Sequence, residues 1–520
     1  MYRESHTQTK HSTKVSPENE KWVLVSTILA SSMTFIDYSA LNVALPALQR
    51  DLGITGAELL WVVNAYALFL SALLLVGGSL GDLYGRKRIF ILGIAIFTVA
   101  SLVCGLAGTP GVLIGSRAIQ GIGGALMVPG SLSIIFALFP DNKRGKAIGM
   151  WSTFSALTTV LGPVLGGWLA GAGLWRFIFF INLPLAAIAL AALIRKVPEN
   201  KDVNARNLDI KGAALATIGL AGVTYGFIQA PELGWRDGRI ILSLAVGIIT
   251  LAAFVFVEAC SNHPMMALRL FKSRTFSSAN AQTLLVYAAL SGMLFFFPLN
   301  LVQVQNYSEQ SAGLAILPFA LLIAGLSRWA GGLVDRLGSR LPLIVGPALS
   351  GFGFFVLTLP GVTNGPQEYW ITYFPGAILL GIGMGITVAP LTTAVMGAVP
   401  EHSSGMASGI NNTIARTAGV FAIAVMGAVA LVSFKDSLET GAMNLALSKQ
   451  TRTELQSEAS KLAEAQPPDH LNARKKAQIK LAIKEAFVST FKKIGWIAAG
   501  LSWSSVLLAV LFVEKRVTSG

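Results

Sequence analysis

Charge is scarce in this 520-residue chain. Only 13% of the residues are Asp, Glu, Lys or Arg, where a soluble domain carries about 25%. With a mean hydropathy of +0.63, too little polar surface remains to coat a soluble particle. Cysteine is scarcer still. Cys104 and Cys260 are the two present, and they fall near opposite ends of their predicted helices, which excludes a disulfide framework. The five histidines, His6, His11, His263, His402 and His470, lie in tails or loops. No paired carboxylates or metal-ligating clusters occur among the predicted helices, so the convergent nucleophile, base or metal set of an enzyme is missing. Residues 1–20 lack the apolar core of a cleavable signal peptide, which leaves the first helix as its own insertion signal.

What the chain has instead is apolar runs. A membrane helix needs about 20 mostly apolar residues to cross a core about 30 Å thick. Runs of that kind predict helices at roughly 22–46, 58–80, 88–108, 111–139, 145–173, 175–194, 211–230 and 239–258. Six more follow at roughly 276–300, 311–334, 341–360, 369–395, 405–433 and 492–513. Fourteen crossings put both termini on one side. The short loops on that side, such as GDLYGRKR, PDNKRGK and DRLGSR, are rich in Lys and Arg, and most alternate loops are poor in them. GWRDGR is an exception. The positive-inside bias therefore predicts cytoplasmic termini. It also accounts for the formal net charge of +14 better than a nucleic-acid partner does.

The chain divides into a cytoplasmic tail (1–21), a six-helix bundle (22–200), a linker with two extra membrane helices (201–262), and a second six-helix bundle (263–520). The second bundle carries a long extracytoplasmic loop at 435–491, read as two helices joined by a turn at Pro467 and Pro468. The bundles repeat. Gly78, Asp82 and Gly85 recur at one offset as Gly331, Asp335 and Gly338. GIGGALMVP (121–129) resembles GIGMGITVAP (381–390), and Gly145 and Gly149 recur as Gly405 and Gly409. Such repeats imply two halves of parallel topology.

Asp37 is the most informative single residue. It is a carboxylate well inside a predicted membrane segment, where ionised groups are costly and mark functional sites. Counting about 1.5 Å per residue, it sits roughly 13 Å from the outer end of its helix, and Arg117 of helix 4 roughly 9 Å from its own. The two can pair. Arg416, by the same count, lies near mid-membrane, where a cavity-facing and a packing role stay equally open. Arg328 is close enough to its helix end to snorkel. Asn42, Asn64, Tyr66 and Gln120 are further candidates for the cavity wall.

Several segments carry a family resemblance. GGSLGDLYGRKR (77–88) resembles the G-x-x-x-D-x-x-G-R-K/R signature of the major facilitator superfamily. LGPVLGGWLA (161–170), with Gly162, Pro163, Gly166 and Gly167, resembles the helix-5 element of its antiporter branches. FIDYSALNVALPAL (35–48) is similar to the first helix of fourteen-helix drug:proton antiporters of the EmrB/QacA type, with Ile36 and Ser39 departing from the pattern. The resemblance implies an all-α fold of two six-helix bundles plus two inserted helices. It implies proton-coupled export of small hydrophobic compounds across the plasma membrane, with no cofactor beyond the proton gradient. It casts Asp37 and Arg117 as the proton site, and Arg117, Gln120 and Gly121 match its R-x-x-Q-G pattern. Asp82 and Arg86 would form a conformational clasp, Asp82 meeting the N-terminal end of a helix in the other half. An exporter dedicated to one metabolite or lipid fits the same motifs, and a sensor or enzyme on a transporter scaffold is the remote alternative. The sequence leaves accessory export subunits unknown. The excess of arginine over carboxylate at membrane depth favours neutral, zwitterionic or weakly acidic substrates over divalent cations.

Overall fold

A computed structural model of the chain describes residues 17–201, 209–261, 264–400, 404–445 and 447–513. Most of the tail, together with His6, His11, His263 and His402, lies outside the described residues, as do the side chains of Arg328 and Asp335. The described secondary structure is helical, with no strand.

Among the described residues, fourteen helices are long and apolar enough to cross a membrane. The first six are α1 (Pro17–Leu52), α2 (Gly56–Tyr84), α3 (Arg86–Leu106), α4 (Pro110–Leu138), α5 (Asp141–Gly171) and α6 (Phe177–Phe180, continued as Asn182–Lys196). The next two are α7 (Ile210–Leu233) and α8 (Gly238–Cys260). The last six are α9 (Arg274–Leu299, extended by the turn Asn300–Val304), α10 (Glu309–Ala315, continued as Leu317–Leu337), α11 (Arg340–Leu357), α12 (Phe374–Gly397), α13 (Ser404–Asn444) and α14 (Ala473–Phe512). Local chemistry sets the ends. Before α2, Thr55 accepts from the Glu58 amide at 3.2 Å while Glu58 accepts from the Thr55 amide at 2.8 Å, a reciprocal cap that satisfies two donors. Thr109 caps α4 just before Pro110, whose missing N–H costs nothing at that position.

The packing repeats as the sequence does. In the first half α1 packs on α5 and α6, α4 on α2 and α3, and α3 on α6. In the second half α9 packs on α13 and α14, α12 on α10 and α11, and α11 on α14. Shifting every number by eight converts one set into the other, so the two bundles have one topology. The halves meet through α2 against α13 and α5 against α10, which are themselves repeat-related contacts, and through α1 against α9. The two inserted helices break the pattern. α7 lies on the seam between α2 and α13, where Leu220 packs with Leu68, Ala72 and Val420. α8 rests on α7 and is largely exposed.

The segment expected as a two-helix loop is built differently. α13 and α14 do not stop at the membrane boundary. They run on as helices of 41 and 40 residues, each about 60 Å long. The reason is mutual cover: Phe434, Leu438 and Ala442 of α13 and Ile479, Ile483 and Phe487 of α14 join one buried cluster, with Phe434 and Phe487 centroids 6.3 Å apart. Between the two lies a short helix, Lys449–Glu458, then a turn, Ala459–Glu464. Pro467 and Pro468 fall in the extended stretch before Asn472 caps α14. This strap folds back over the end of the bundle. Gln49 donates to the Lys461 carbonyl at 3.1 Å, and Leu455, Ala459 and Leu462 are buried there.

Candidate functional site

We call the face where α1 begins and α14 ends the near face, and the opposite one the far face. Toward the far face the two halves share one hydrophobic core. It takes in Ala40–Leu48 of α1, Leu59–Val63 of α2, Val286–Val304 of α9, Ile423–Ala442 of α13 and the strap. Toward the near face there are two separate cores. One belongs wholly to the first half (Val23, Leu74, Phe90, Ile135, Leu193) and the other wholly to the second (Phe276, Leu343, Leu391, Ile410). The halves are sealed at the far end and parted at the near end, so a cleft opens to the near face.

The far seal has named contacts. Arg50 of the first half pairs with Glu309 of the second, and Gln303 donates to Gln49 at 2.9 Å. The helix-5 glycines lie in this seal. A Cβ at Gly162 or Gly166 would overlap Ser39 or the Ala40 carbonyl of α1. On the other side of α5, a Cβ at Gly167 would run into the backbone of Glu309 and Gly313. Pro163, Gly166 and Gly167 thus let α5 press on α1 and on α10 of the opposite half at once, the close approach that small residues permit.

At the level where the shared core gives way to the separate ones sits a fully buried charge pair. Arg117 Nη1 donates to Asp37 Oδ2 at 2.5 Å and to Gln120 Oε1 at 2.7 Å, and Gln120 Nε2 donates to Asp37 Oδ1 at 2.8 Å. Arg117 Nε donates to the Val62 carbonyl at 3.2 Å, and its guanidinium lies over the Tyr66 ring, 4.3 Å from the centroid. Ser101 receives Gln120 at 3.3 Å and Asn182 at 2.9 Å. The helix turn between Arg117 and Gln120 puts both on one face, and α1 presents Asp37 to that face. Arg117 Nη2 and both polar atoms of Asn64 are buried without a hydrogen-bond partner among the described residues. A network this closed is held tightly.

The near-face loops match the repeated motif. Gly85 and Gly338 both hold positive φ, +110° and +75°, which is the turn a side chain disfavours. Asp82 pairs with Arg86 of its own loop at 2.9 Å, and no cross-half partner for it occurs among the described residues. The Glu199 carboxylate accepts from the amides of Lys87 and Arg88 at 3.0 and 3.1 Å, capping the positive end of α3.

The model of the major facilitator superfamily matches residues 27–423. The chain belongs to that superfamily. Among curated relatives it is 34% identical to multidrug resistance protein Stp of Mycobacterium tuberculosis (strain CDC 1551 / Oshkosh), over 80% of this chain and 77% of that one. It is also 34% identical to cephamycin export protein CmcT of Amycolatopsis lactamdurans, over 81% and 86%. Its fold is similar to that of a bacterial homolog of the human lysosomal transporter Spinster, with a TM-score of 0.64 at 18% identity, covering 97% of this chain and 100% of that chain.

As a major facilitator transporter, the protein is a multi-pass membrane carrier and not an enzyme. The structure brings together Asp37, Arg117 and Gln120 among the residues singled out in the sequence. Tyr66 packs against Arg117, whereas Asn64 is fully buried and lines no open space. Asn42 and Arg416 are partly exposed on the face between the halves. Sequence reasoning passed over Ser101 and Asn182, which extend the buried network, and Glu199, which caps α3 at the near face. Asn182 carried a signal, as an amide in an otherwise apolar helix start. Ser101 carried none, because small hydroxyls are common in membrane helices.

Proposed function

We propose that this transporter exports small hydrophobic compounds from the cytoplasm by alternating access, in exchange for protons. The near face is then the cytoplasmic face of the plasma membrane. Its loops carry Arg86, Lys87, Lys143, Arg195, Lys272 and Arg340, in keeping with the positive-inside bias. The cleft is the inward-open state, ready to take substrate from the cytoplasm or the inner leaflet.

The observation that carries the reading is the closed Asp37–Arg117–Gln120 network at the ceiling of the cleft. A proton arriving from outside in the outward-open state would neutralise Asp37 and strand Arg117, so the network would have to rearrange. Reopening inward would return the proton to the cytoplasm. No cofactor is needed beyond the proton gradient, and the partners are the substrate and the bilayer, with no nucleic acid. Asp82 and Arg86 would clasp the near face in the outward-open state and lie disengaged here. Relatives bear the names of multidrug resistance and antibiotic export proteins, which supports export as the direction. Some of those names specify one compound, which favours the second reading, a dedicated exporter.

The test is uptake into inside-out vesicles with an imposed pH gradient, over a chemically diverse panel. Gradient-dependent uptake of many compounds supports multidrug export, and of one compound the dedicated reading. Uptake that ignores the gradient would remove proton coupling.

A further inference from the structure

The cleft ceiling holds a second arginine that the proton network does not use. Arg416 stands on α13 between Ile414, which packs on the near core of the second half, and Ile423, which belongs to the shared far core. It therefore lies at the depth where the halves part. Tyr38 marks the same level on α1, packing on both the shared core and the near core of the first half. Tyr287 of α9 packs on the near core of the second half, between Val286 and Ala289 of the shared core. Tyr38 lies close to Ser291 of α9 and Asn42 of its own helix.

We propose that Arg416, with Tyr38, Tyr287 and Ser291 around it, is an anion-recognition subsite that selects hydrophobic substrates bearing one carboxylate. This rests on the reading of the protein as an exporter and goes beyond it by naming the substrate class. The groups that interact electrostatically with Arg416 are Tyr38, Tyr66 and Tyr287, all neutral hydroxyls, with no carboxylate among them. Arg416 makes no ion pair or hydrogen bond among the described residues and is stacked on no ring there, unlike Arg117. Arg416 keeps partial exposure at the level where the halves part. Asp37, the carboxylate at this depth, is fully buried and held by Arg117. The ceiling therefore carries one uncompensated positive charge in a setting that strongly disfavours it. A planar guanidinium fork matches a carboxylate with two parallel hydrogen bonds. The tyrosine and serine hydroxyls can donate to the same oxygens, and the aromatic rings offer apolar contact to the rest of the molecule.

The experiment uses the purified full-length protein in lipid nanodiscs, with empty discs as the blank. Three fluorescent probes of one shape are titrated: pyrenebutyrate, the neutral pyrenebutanamide, and the cationic pyrenebutyl-trimethylammonium. The wild type is expected to bind the carboxylate about tenfold or more tighter than the amide, and the cation most weakly. Arg416→Gln should bring the carboxylate down to the amide while leaving the amide within about twofold. Arg416→Lys should keep part of the preference, since the charge stays but the fork is lost. A wild type that binds the three probes alike, or prefers the cation, overturns the proposal even if Arg416→Gln fails to fold. So does a carboxylate preference that survives Arg416→Gln, or a loss shared equally by all three probes. Because binding needs no gradient, a carboxylate preference with no export of any compound would sink the exporter reading and leave the anion subsite standing.

Discussion

Asp37→Asn separates the structural role of the buried pair from its transport role. The carboxylate accepts two hydrogen bonds on different oxygens, from Arg117 at 2.5 Å and from Gln120 at 2.8 Å. Asparagine has nearly the same shape but one accepting atom, so one of these bonds is lost. The other becomes charged on the arginine side only. Hydrogen bonds to charged groups contribute about 1.5–3 kcal/mol and neutral ones about 0.5–1.5 kcal/mol. Removing one member of a buried ion pair costs about 3–5 kcal/mol, because the remaining charge is stranded. The Gln120 oxygen and the Val62 carbonyl still receive Arg117, which places the expected loss at the lower end, about 3 kcal/mol. Adding Arg117→Gln removes the stranded charge and should restore most of it.

The assay has two arms. Thermal unfolding of the purified single and double variants gives the coupling between the two sites, expected at about 1–3 kcal/mol. Uptake into inside-out vesicles gives the transport arm, where both the single and the double variant should lose pH-gradient-driven export, since neither carries the titrating carboxylate. Stability that the second substitution does not restore would refute the stranded-charge argument. Gradient-driven export by Asp37→Asn at the wild-type rate would refute the proton role.

Three further outcomes follow from the geometry. Asp82→Asn should lower export without changing which compounds are recognised, by shifting the balance toward the inward-open state; cysteines placed on the two faces and labelled from each side report the shift, and unchanged labelling with unchanged export removes the clasp. Gly166→Val should abolish export while Gly115→Ala leaves it within about twofold, because a side chain at the first meets the α1 backbone, whereas one at Gly115, a helical position of ordinary φ, meets no neighbour; normal export by Gly166→Val would show that the far seal tolerates a wider α1–α5 spacing. Burial of Glu464 against the far face raises its carboxyl above the ordinary value, with Arg50 and Gln303 opposing and Glu309 adding. Protonation therefore favours the docked strap: docking is strongest below the ordinary glutamate pKa and weakens as external pH rises through the raised value. The maleimide labelling rate of Lys461→Cys, in a background lacking Cys104 and Cys260 and divided by the rate of free cysteine at the same pH to remove the thiolate contribution, should rise as external pH climbs above the ordinary glutamate value and lose that rise in Glu464→Gln. A flat profile in the parent would remove Glu464 as the sensor.

The parts legible in the sequence are those where the membrane makes an alternative expensive. A carboxylate in an apolar run has few stable solutions, so Asp37 could be matched to Arg117 by depth alone, and the structure joins them. Gly85 and Gly338 were legible because a turn with positive φ admits few other residues. The helix-5 glycines announced close packing but not their partners: spacing shows that a face is small, not that α1 lies on one side of it and α10 on the other. The extensions of α13 and α14 were illegible for a related reason. Hydropathy measures where a helix leaves the bilayer, while its persistence beyond depends on a stripe of Phe434, Leu438, Ile483 and Phe487 finding its mate across the pair. Arg416 shows the limit most clearly. Its depth could be counted, but whether it faced protein or open space depended on how two halves distant in sequence come together.

That arrangement bears on energetics as well as recognition. Under the proposed cycle the ceiling holds two arginines and one carboxylate, so its net charge is positive whether Asp37 is ionised or protonated. A monocarboxylate bound at Arg416 neutralises the charge that the tyrosines leave uncompensated, and so can cross the low-dielectric layer between the faces as part of a balanced assembly. A dication there would raise the local charge further, and its outward movement would oppose a membrane potential that is negative inside. An outgoing anion moves with that potential, as an incoming proton does, so both legs of the exchange run downhill electrically. One titrating carboxylate, weak as a motor for expelling a dication, is therefore matched to a cargo whose own charge supplies part of the driving force.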